Sequence, residues 1–572
     1  MLGCRARFLF FMTFAVIVGL MVACGGGDEK KETPQATTGA SEAAPPEQQH
    51  VIFQSAEPQY FDPQRSNFEQ DIAVERMLFR GLYQLVLDSS DNVKAEPAMA
   101  AGDPQVNGNV YTVKLKSGLK WSDGQPLTAK DFEYTIKREC SPEVAGPYQY
   151  VLGVDMLDLV GCDDYFGSAD ATPADQAALR DKVGVKAVDD LTLEMTLKAP
   201  KSTFTTIMAL WATFPVRQDI VEKFGDRWTD PSNIVVNGPY TLTEFVAKDH
   251  VTLKPNPSWA LEPKPLLQQL TVKFIDDQEV AFRAFQTGEL DATTIPATEI
   301  PTIKADPTLN SEFLQVGSLR IWSVEMQMKN EVLSNPKVRL ALSRAIDRES
   351  LVRVVYNDAY IPATYWLVKG IPGYQGSGPF DNIIGYDPAA AKQALADAGY
   401  PNGQGFPTLK ITVTDNPVRK AEGEFLQSAW KDTLGINTTI EAVDAKTRST
   451  DFNTKNFQLF PGGWQNDYPD PENSLIGLFN TGGGNNQYEC SDPDIDAKLK
   501  AAGSATDEAT RIKDLQDAET LIVTRLCGMA PIWQGAFLYL VDPKVGGVRA
   551  NGAIDAAMPG NWCPECWFVK AQ

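Results

Sequence analysis

Histidine is nearly absent from this chain of 572 residues: only His50 and His250 occur. No His-x-x-x-His metal pair exists, and no Ser/His/Asp set can be assembled. Gly482-Gly483-Gly484 lacks the following Lys-Ser/Thr of a phosphate-cradling loop. Cofactor and metal chemistry are therefore not expected. Basic residues are outnumbered, 52 Lys and Arg against 74 Asp and Glu, for a formal net charge of −22. Without a basic stripe to neutralise phosphates, nucleic acid is not expected as a partner. Past the N-terminal region no apolar run is long enough to span a bilayer. Apolar residues make up 43%, an ordinary share for a globular chain, and the length allows two to four domains.

What is present begins at the N-terminus. Arg5 and Arg7 precede an apolar run over residues 8–22, which ends at Ala23-Cys24. This is the layout of a signal peptide, and the run is short for a membrane helix. Leu20-Met21-Val22-Ala23-Cys24 resembles a bacterial lipobox, with Met21 where Leu is commoner, so Cys24 is the expected lipidated residue. Residues 25–49 carry almost no large apolar side chains and read as a flexible tether. The expectation is a soluble body held by lipid at the outer surface of a cell membrane, on the periplasmic or cell-surface side.

Six further cysteines follow: Cys140, Cys162, Cys490, Cys527, Cys563 and Cys566. In an exported chain an even number suggests disulfides. Sequence proximity pairs Cys140 with Cys162, Cys490 with Cys527 and Cys563 with Cys566, although six cysteines allow fifteen connectivities. Cys563-Pro564-Glu565-Cys566 has the spacing of a redox motif, but such a motif needs a following helix to stabilise its thiolate. The residues after it are too few for one, so a structural staple is expected.

One stretch stands out: Phe460-Pro461-Gly462-Gly463-Trp464-Gln465-Asn466-Asp467-Tyr468-Pro469-Asp470-Pro471-Glu472-Asn473. It is too rich in Gly and Pro for a helix or central strand, and reads as a strand end entering a shaped loop. It carries two large aromatics and three acids, a composition suited to a cationic, partly apolar group. The alternatives are that Trp464 and Tyr468 plug the core, or that Asp467 works with Asp470 or Glu472 as a hydrolytic carboxylate pair.

Elsewhere the local signals are conventional. Leu119-Lys120-Trp121-Ser122-Asp123-Gly124-Gln125-Pro126-Leu127-Thr128-Ala129-Lys130-Asp131-Phe132 predicts a strand–turn–helix corner. Thr128 and Asp131 form a capping box, and Leu127 and Phe132 a hydrophobic staple. Residues 72–82 read as a helix and 185–197 as a hairpin. Helices are expected after Asn335-Pro336, Asp347, Asp387-Pro388, Asp492-Pro493 and Asp507, and over 421–434. Strand and helix alternate, which points to α/β lobes.

Trp464-x-x-Asp467-Tyr468-Pro469-Asp470-Pro471 with Asn473 and Phe479, the Trp121 corner, and the segment from Val338 to Arg348 resemble the family-5 solute-binding proteins. These are the oligopeptide- and dipeptide-binding receptors of ABC importers, and the resemblance spans roughly residues 51–548. It implies an α/β, two-lobed periplasmic-binding-protein type II (Venus-flytrap) fold with an extra subdomain, monomeric and not an enzyme. Residues 1–23 would be signal peptide and 24–49 tether. Lobe I would be 50–86, 214–316 and 534–572, the extra subdomain 87–213, and lobe II 317–533. By the same resemblance Asp467 pairs with a ligand's α-amino group and Trp464 walls the pocket, with Gly463, Asn466 and Tyr468 beside them. The expected function is capture of oligopeptides and delivery to an ABC permease; the alternative is a non-peptide solute such as an oligosaccharide. Two departures stand out. Some relatives carry an Arg three residues before the Trp, which holds a short ligand's carboxylate, and a Cys directly after it. Here those positions are Pro461 and Gln465, so the resemblance supplies no carboxylate anchor and no peptide length.

Overall fold

The computed structural model describes residues 42–88, 93–153, 156–466, 468–483, 485–505, 507–552, 554 and 557–571. The expected signal peptide, Cys24, most of the tether and Asp467 lie outside the described residues.

Two long strands, Phe313–Met326 and Met529–Val541, organise the body. They pair antiparallel twice: residues 313–317 with 536–540, and residues 321–325 with 529–534. Between these stretches the register slips, from Gly317 to Ile321. On one side of the slip, Met529–Val541 continues to the short strand Ala292–Thr294 and then to His50–Ser55, Gln269–Phe274, His250–Pro255 and Tyr240–Val246. On the other side, Phe313–Met326 pairs with Leu459–Gln465, followed by Leu409–Thr414 and Thr438–Val443. One sheet thus has two halves joined through a single pair of strands with a slipped middle. A register slip interrupts the ladder and lets the strands bend, so the geometry suits a hinge.

Each half is mixed. Leu409–Thr414 runs parallel to Thr438–Val443, with the helix Pro417–Leu434 as its crossover. Trp430 on that helix is fully buried and donates to Leu342 O at 3.0 Å. A separate four-stranded antiparallel sheet, Gln105–Asn107, Val110–Lys114, Thr192–Thr196 and Val185–Asp189, packs under the helix Ala129–Glu139. The capping box of Thr128 and Asp131 is formed, and Leu127, Phe132 and Trp121 are buried. No helix among the described residues is long and apolar enough to cross a membrane.

The disulfides are Cys140–Cys162, Cys490–Cys527 and Cys563–Cys566. The last closes a small loop around Glu565, whose two carboxylate oxygens accept from Arg80 Nη2 at 2.8 and 2.9 Å in a buried pair.

Three local expectations need correction. The helix read over 72–82 is Glu69–Leu78, because Phe79 turns extended and Tyr83–Leu87 is a strand. The helix read from residue 421 starts at Pro417, capped by the Asn416 side chain. The stretch from Phe460 is mostly not loop: Leu459–Gln465 is a strand and Pro471–Phe479 a helix.

Candidate functional site

The strand Leu459–Gln465 survives its Gly and Pro content because of what it lies against. Its residues pair in order with 320–326, Trp464 opposite Ile321 and Gly463 opposite Trp322. A Cβ on Gly463 would sit 2.0 Å from Ile321 O, and one on Gly462 2.8 Å from a Glu325 carboxylate oxygen. Only glycine permits so close an approach. Asn466 N–H donates to Leu319 O at 3.1 Å, and Gly462 O accepts from Ser323 Oγ at 3.3 Å. Backbone direction alternates along a strand. The groups of 462, 464 and 466 therefore face the long strand, while those of Pro461, Gly463 and Gln465 face away. Among the described residues, only Leu459 is paired on that far side, with Ile411. From residue 460 onward no described strand lies along the edge to which Gly463 and Gln465 turn their N–H and C=O groups. Pro461, which has no N–H to leave unpaired, accepts at its carbonyl from Arg448 Nη2 at 2.6 Å.

The side chains divide into fixed and buried. Trp464 is half-buried, and its indole N–H donates to Asn473 Oδ1 at 2.9 Å, which orients the ring from the following helix. Asn466 is 3% exposed; its amide N–H donates to Leu319 O at 2.8 Å, and its Oδ1 has no partner among the described residues. Tyr468 is packed in the core rather than along an open wall. Asp467 stands between these two buried residues, outside the described positions. Asp470 caps the helix Pro471–Phe479 and pairs with Arg511 through both oxygens, at 2.9 and 2.5 Å. Arg511 also holds Glu508 at 2.8 Å and reaches Glu472 at 3.5 Å. Burial, then the charge of Asp470, pushes the Glu472 carboxyl up, while Lys201 and Arg511 oppose the rise. The carboxylates offered as partners for hydrolysis are thus members of a structural brace.

A cavity of about 710 Å³ adjoins this segment. Pro469, Asp470 and Arg511 line it together with Leu85 and Ala95 of the two-stranded sheet Tyr83–Leu87 and Val93–Pro97 and with Thr205 of the short helix Phe204–Ile207. The stretch therefore borders a gap between separate parts of the chain. A larger cavity of about 1000 Å³, lined by Tyr60, Phe61, Tyr134 and Phe245, includes no residue of the stretch.

Sequence reasoning missed the groups on the far side of Trp464. Helices begin just after the parallel strands Leu409–Thr414 and Thr438–Val443, and their first turns carry Arg419 and Arg448. The carboxyl ends of parallel strands are a standard place for ligand-binding residues. Arg419 lies 4.0 Å over the Trp322 ring and bonds Tyr356 Oη and Glu422 at 2.8 and 3.0 Å. Trp322 stacks on Trp533, and Trp533 on Tyr360, with centroids 5.1 and 4.2 Å apart. Arg448 lies 3.9 Å over Phe460. The available signal was Asn416-Pro417 and Asp444, capping residues within two positions of the end of each strand.

Residues 94–486 match the family model described as "Bacterial extracellular solute-binding proteins, family 5 Middle". A probable deoxycholate-binding periplasmic protein of Escherichia coli, YgiS, is 29% identical over 512 residues, covering 87% of this chain and 90% of its own. The oligopeptide-binding protein OppA of Bacillus subtilis is 27% identical over 513 residues, covering 87% and 89%. An unliganded open form of the murein tripeptide-binding protein MppA superposes with a TM-score of 0.82 at 26% identity, over 93% of this chain and 99% of that one.

Proposed function

This chain belongs to the bacterial extracellular solute-binding proteins of family 5, with their mixed α/β, two-lobed type II fold, and from that premise we propose that it captures short peptides between its lobes for an ABC importer. The observation that carries this reading is the edge of Leu459–Gln465 that, past Leu459, no described strand covers, beside the oriented Trp464 ring. An extended peptide laid along it would exchange backbone hydrogen bonds with Gly463 and Gln465, which gives affinity with little dependence on side-chain sequence. Asp467, at the end of that edge, would receive the ligand's α-ammonium. The lobes, divided near residues 86, 213, 316 and 533, would close about the slipped pair of long strands, and a ligand touching both would bias closure. Lipidation of Cys24 would hold the monomeric receptor beside its permease.

The test is titration calorimetry with tri- and tetrapeptides bearing free or acetylated N-termini. Removing one member of a buried charge pair costs about 2–5 kcal/mol. Asp467→Ala and N-acetylation should therefore each weaken binding by tens- to thousands-fold. Equal affinities for free and acetylated peptides refute the ammonium role of Asp467. The deoxycholate-binding relative supports one second reading, a carboxylate-bearing steroid. Deoxycholate has no amine, so its binding would be indifferent to Asp467→Ala, and oligosaccharides in the same assay would separate a sugar receptor.

A further inference from the structure

The slip in the long strands is bridged by a side chain. Gly317 pairs with Ala536 and Ile321 with Gln534, so Ser318, Leu319 and Arg320 stand against Gly535 alone. Ser318 has no strand partner among the described residues. Its carbonyl is met instead by Gln534, whose Nε2 donates to Ser318 O at 2.9 Å. Gln534 is fully buried, and its Oε1 accepts from Tyr365 Oη at 2.8 Å. The fit is close: a Cβ on Gly317 would lie 2.6 Å from Gln534 Nε2, and one on Gly535 2.5 Å from Ser318 Oγ. The two ends of this bridge are held from different sides of the slip. The Gln534 backbone pairs with Ile321 and Ile361, and Tyr365 precedes Trp366 and Leu367, whose N–H groups donate to Glu519 on the helix Glu508–Thr524. Ser318 follows the stretch 313–317, which pairs with residues 536–540 on the side that continues to Ala292–Thr294. The bond therefore spans the point at which the ladder is broken.

Resting on the lobe closure proposed above, we infer that Gln534 is a positioning residue that holds the hinge open until ligand binds. The chain superposes with a TM-score of 0.82 on the unliganded open form of MppA, against 0.65 on a second structure of the Escherichia coli protein at the same 26% identity. The bridge is thus seen in the open arrangement. Rotating the halves about the slip changes the backbone angles of residues 318–320 and moves Ser318 O relative to Gln534 Nε2. Closure then leaves a buried amide and a buried carbonyl to find new partners, which costs free energy in a dry interior. Contacts from a ligand that touches both lobes have to offset that cost. Gln534 touches no ligand in this scheme. It sets the fraction of ligand-free protein that is closed, and apparent affinity scales with that fraction.

The experiment measures trialanine binding by calorimetry and ligand-free compactness by small-angle X-ray scattering, on the full chain and on two variants. Gln534→Met keeps the side chain's length and removes both bonds, whereas Tyr365→Phe removes only a hydroxyl. One net hydrogen bond is worth about two- to tenfold in an equilibrium. Gln534→Met should therefore bind trialanine about two- to tenfold more tightly than the unmutated chain, and Tyr365→Phe should shift the same way by less. Without ligand, Gln534→Met should have the smaller radius of gyration. Unchanged or weaker binding by folded Gln534→Met overturns the inference and leaves the peptide reading intact, because removing a side chain that only supports the fold does not raise affinity. If Gln534→Met does not fold, the sign of the Tyr365→Phe shift decides in its place. If trialanine binds none of the proteins, the peptide reading fails and scattering decides. Compaction of the ligand-free variant then sustains the inference, and an unchanged radius overturns it.

Discussion

Glu325 offers a sharp test, because its environment predicts both a sign and a size. It sits on the long strand opposite Phe460 and Met529, is 3% exposed, and has one carboxylate oxygen without a partner among the described residues. Burial raises its pKa from an ordinary 4.5 to about 8, against a smaller downward pull from Arg448. The folded state therefore holds this proton more tightly than the unfolded state does. The resulting stabilisation is fully present below pH 4.5, shrinks as pH rises, and is gone above pH 8. The slope in that window is about 1.4 kcal/mol per pH unit. From pH 5 to pH 8 the group should cost the protein about 3–4 kcal/mol. Glu325→Gln keeps the shape and cannot ionise, so its stability should lack that part of the pH dependence. Urea unfolding of both proteins, ligand-free, followed by tryptophan fluorescence at pH 5 and pH 8, isolates the effect because the other titrating groups are common to both. The stability difference should shift by about 3–4 kcal/mol in favour of the variant as pH rises. A difference constant within about 1 kcal/mol would show that the carboxyl is not buried as a neutral acid.

Two further outcomes are expected. Gly463→Ala should abolish peptide binding and broaden the unfolding transition, since its methyl group would have to displace Ile321 O, 2.0 Å away; native binding in this variant would refute the close-approach argument. Breaking Cys490–Cys527 or Cys140–Cys162 with serines should cost about 3–4 kcal/mol, against about 1–2 for Cys563–Cys566. The chain-entropy cost of a loop grows with its length, and the separations are 37, 22 and 3 residues. Denaturant midpoints of the three double variants give the order directly, and an equal loss for all three would contradict it.

Much of the fold was legible residue by residue. The capping box at Thr128 and Asp131, the Asn-Pro and Asp-Pro helix starts, and the hairpin that became Val185–Asp189 and Thr192–Thr196 are local matters. Each is fixed by hydrogen bonds and contacts within a few positions, so composition and spacing reveal it. Asp470-Pro471 carries the same helix-start signature as Asp387-Pro388 and Asp492-Pro493, but within a stretch dominated by Gly and Pro.

Local residue patterns were enough for the family resemblance, the strand–turn–helix corner at Trp121 and the capped helix starts. The surroundings of the Trp464 stretch came only from the fold. Whether Asp470 is free or braced depends on Arg511, 41 residues away. Whether Leu459–Gln465 has an open edge depends on Leu409–Thr414 reaching only its first residue. Whether Arg448 reaches Pro461 depends on two parallel strands and a helix start bringing them together. Side-chain charge and backbone pairing are properties of neighbours, and in a sheet whose order does not follow the chain, neighbours are assigned by the fold rather than by position in sequence.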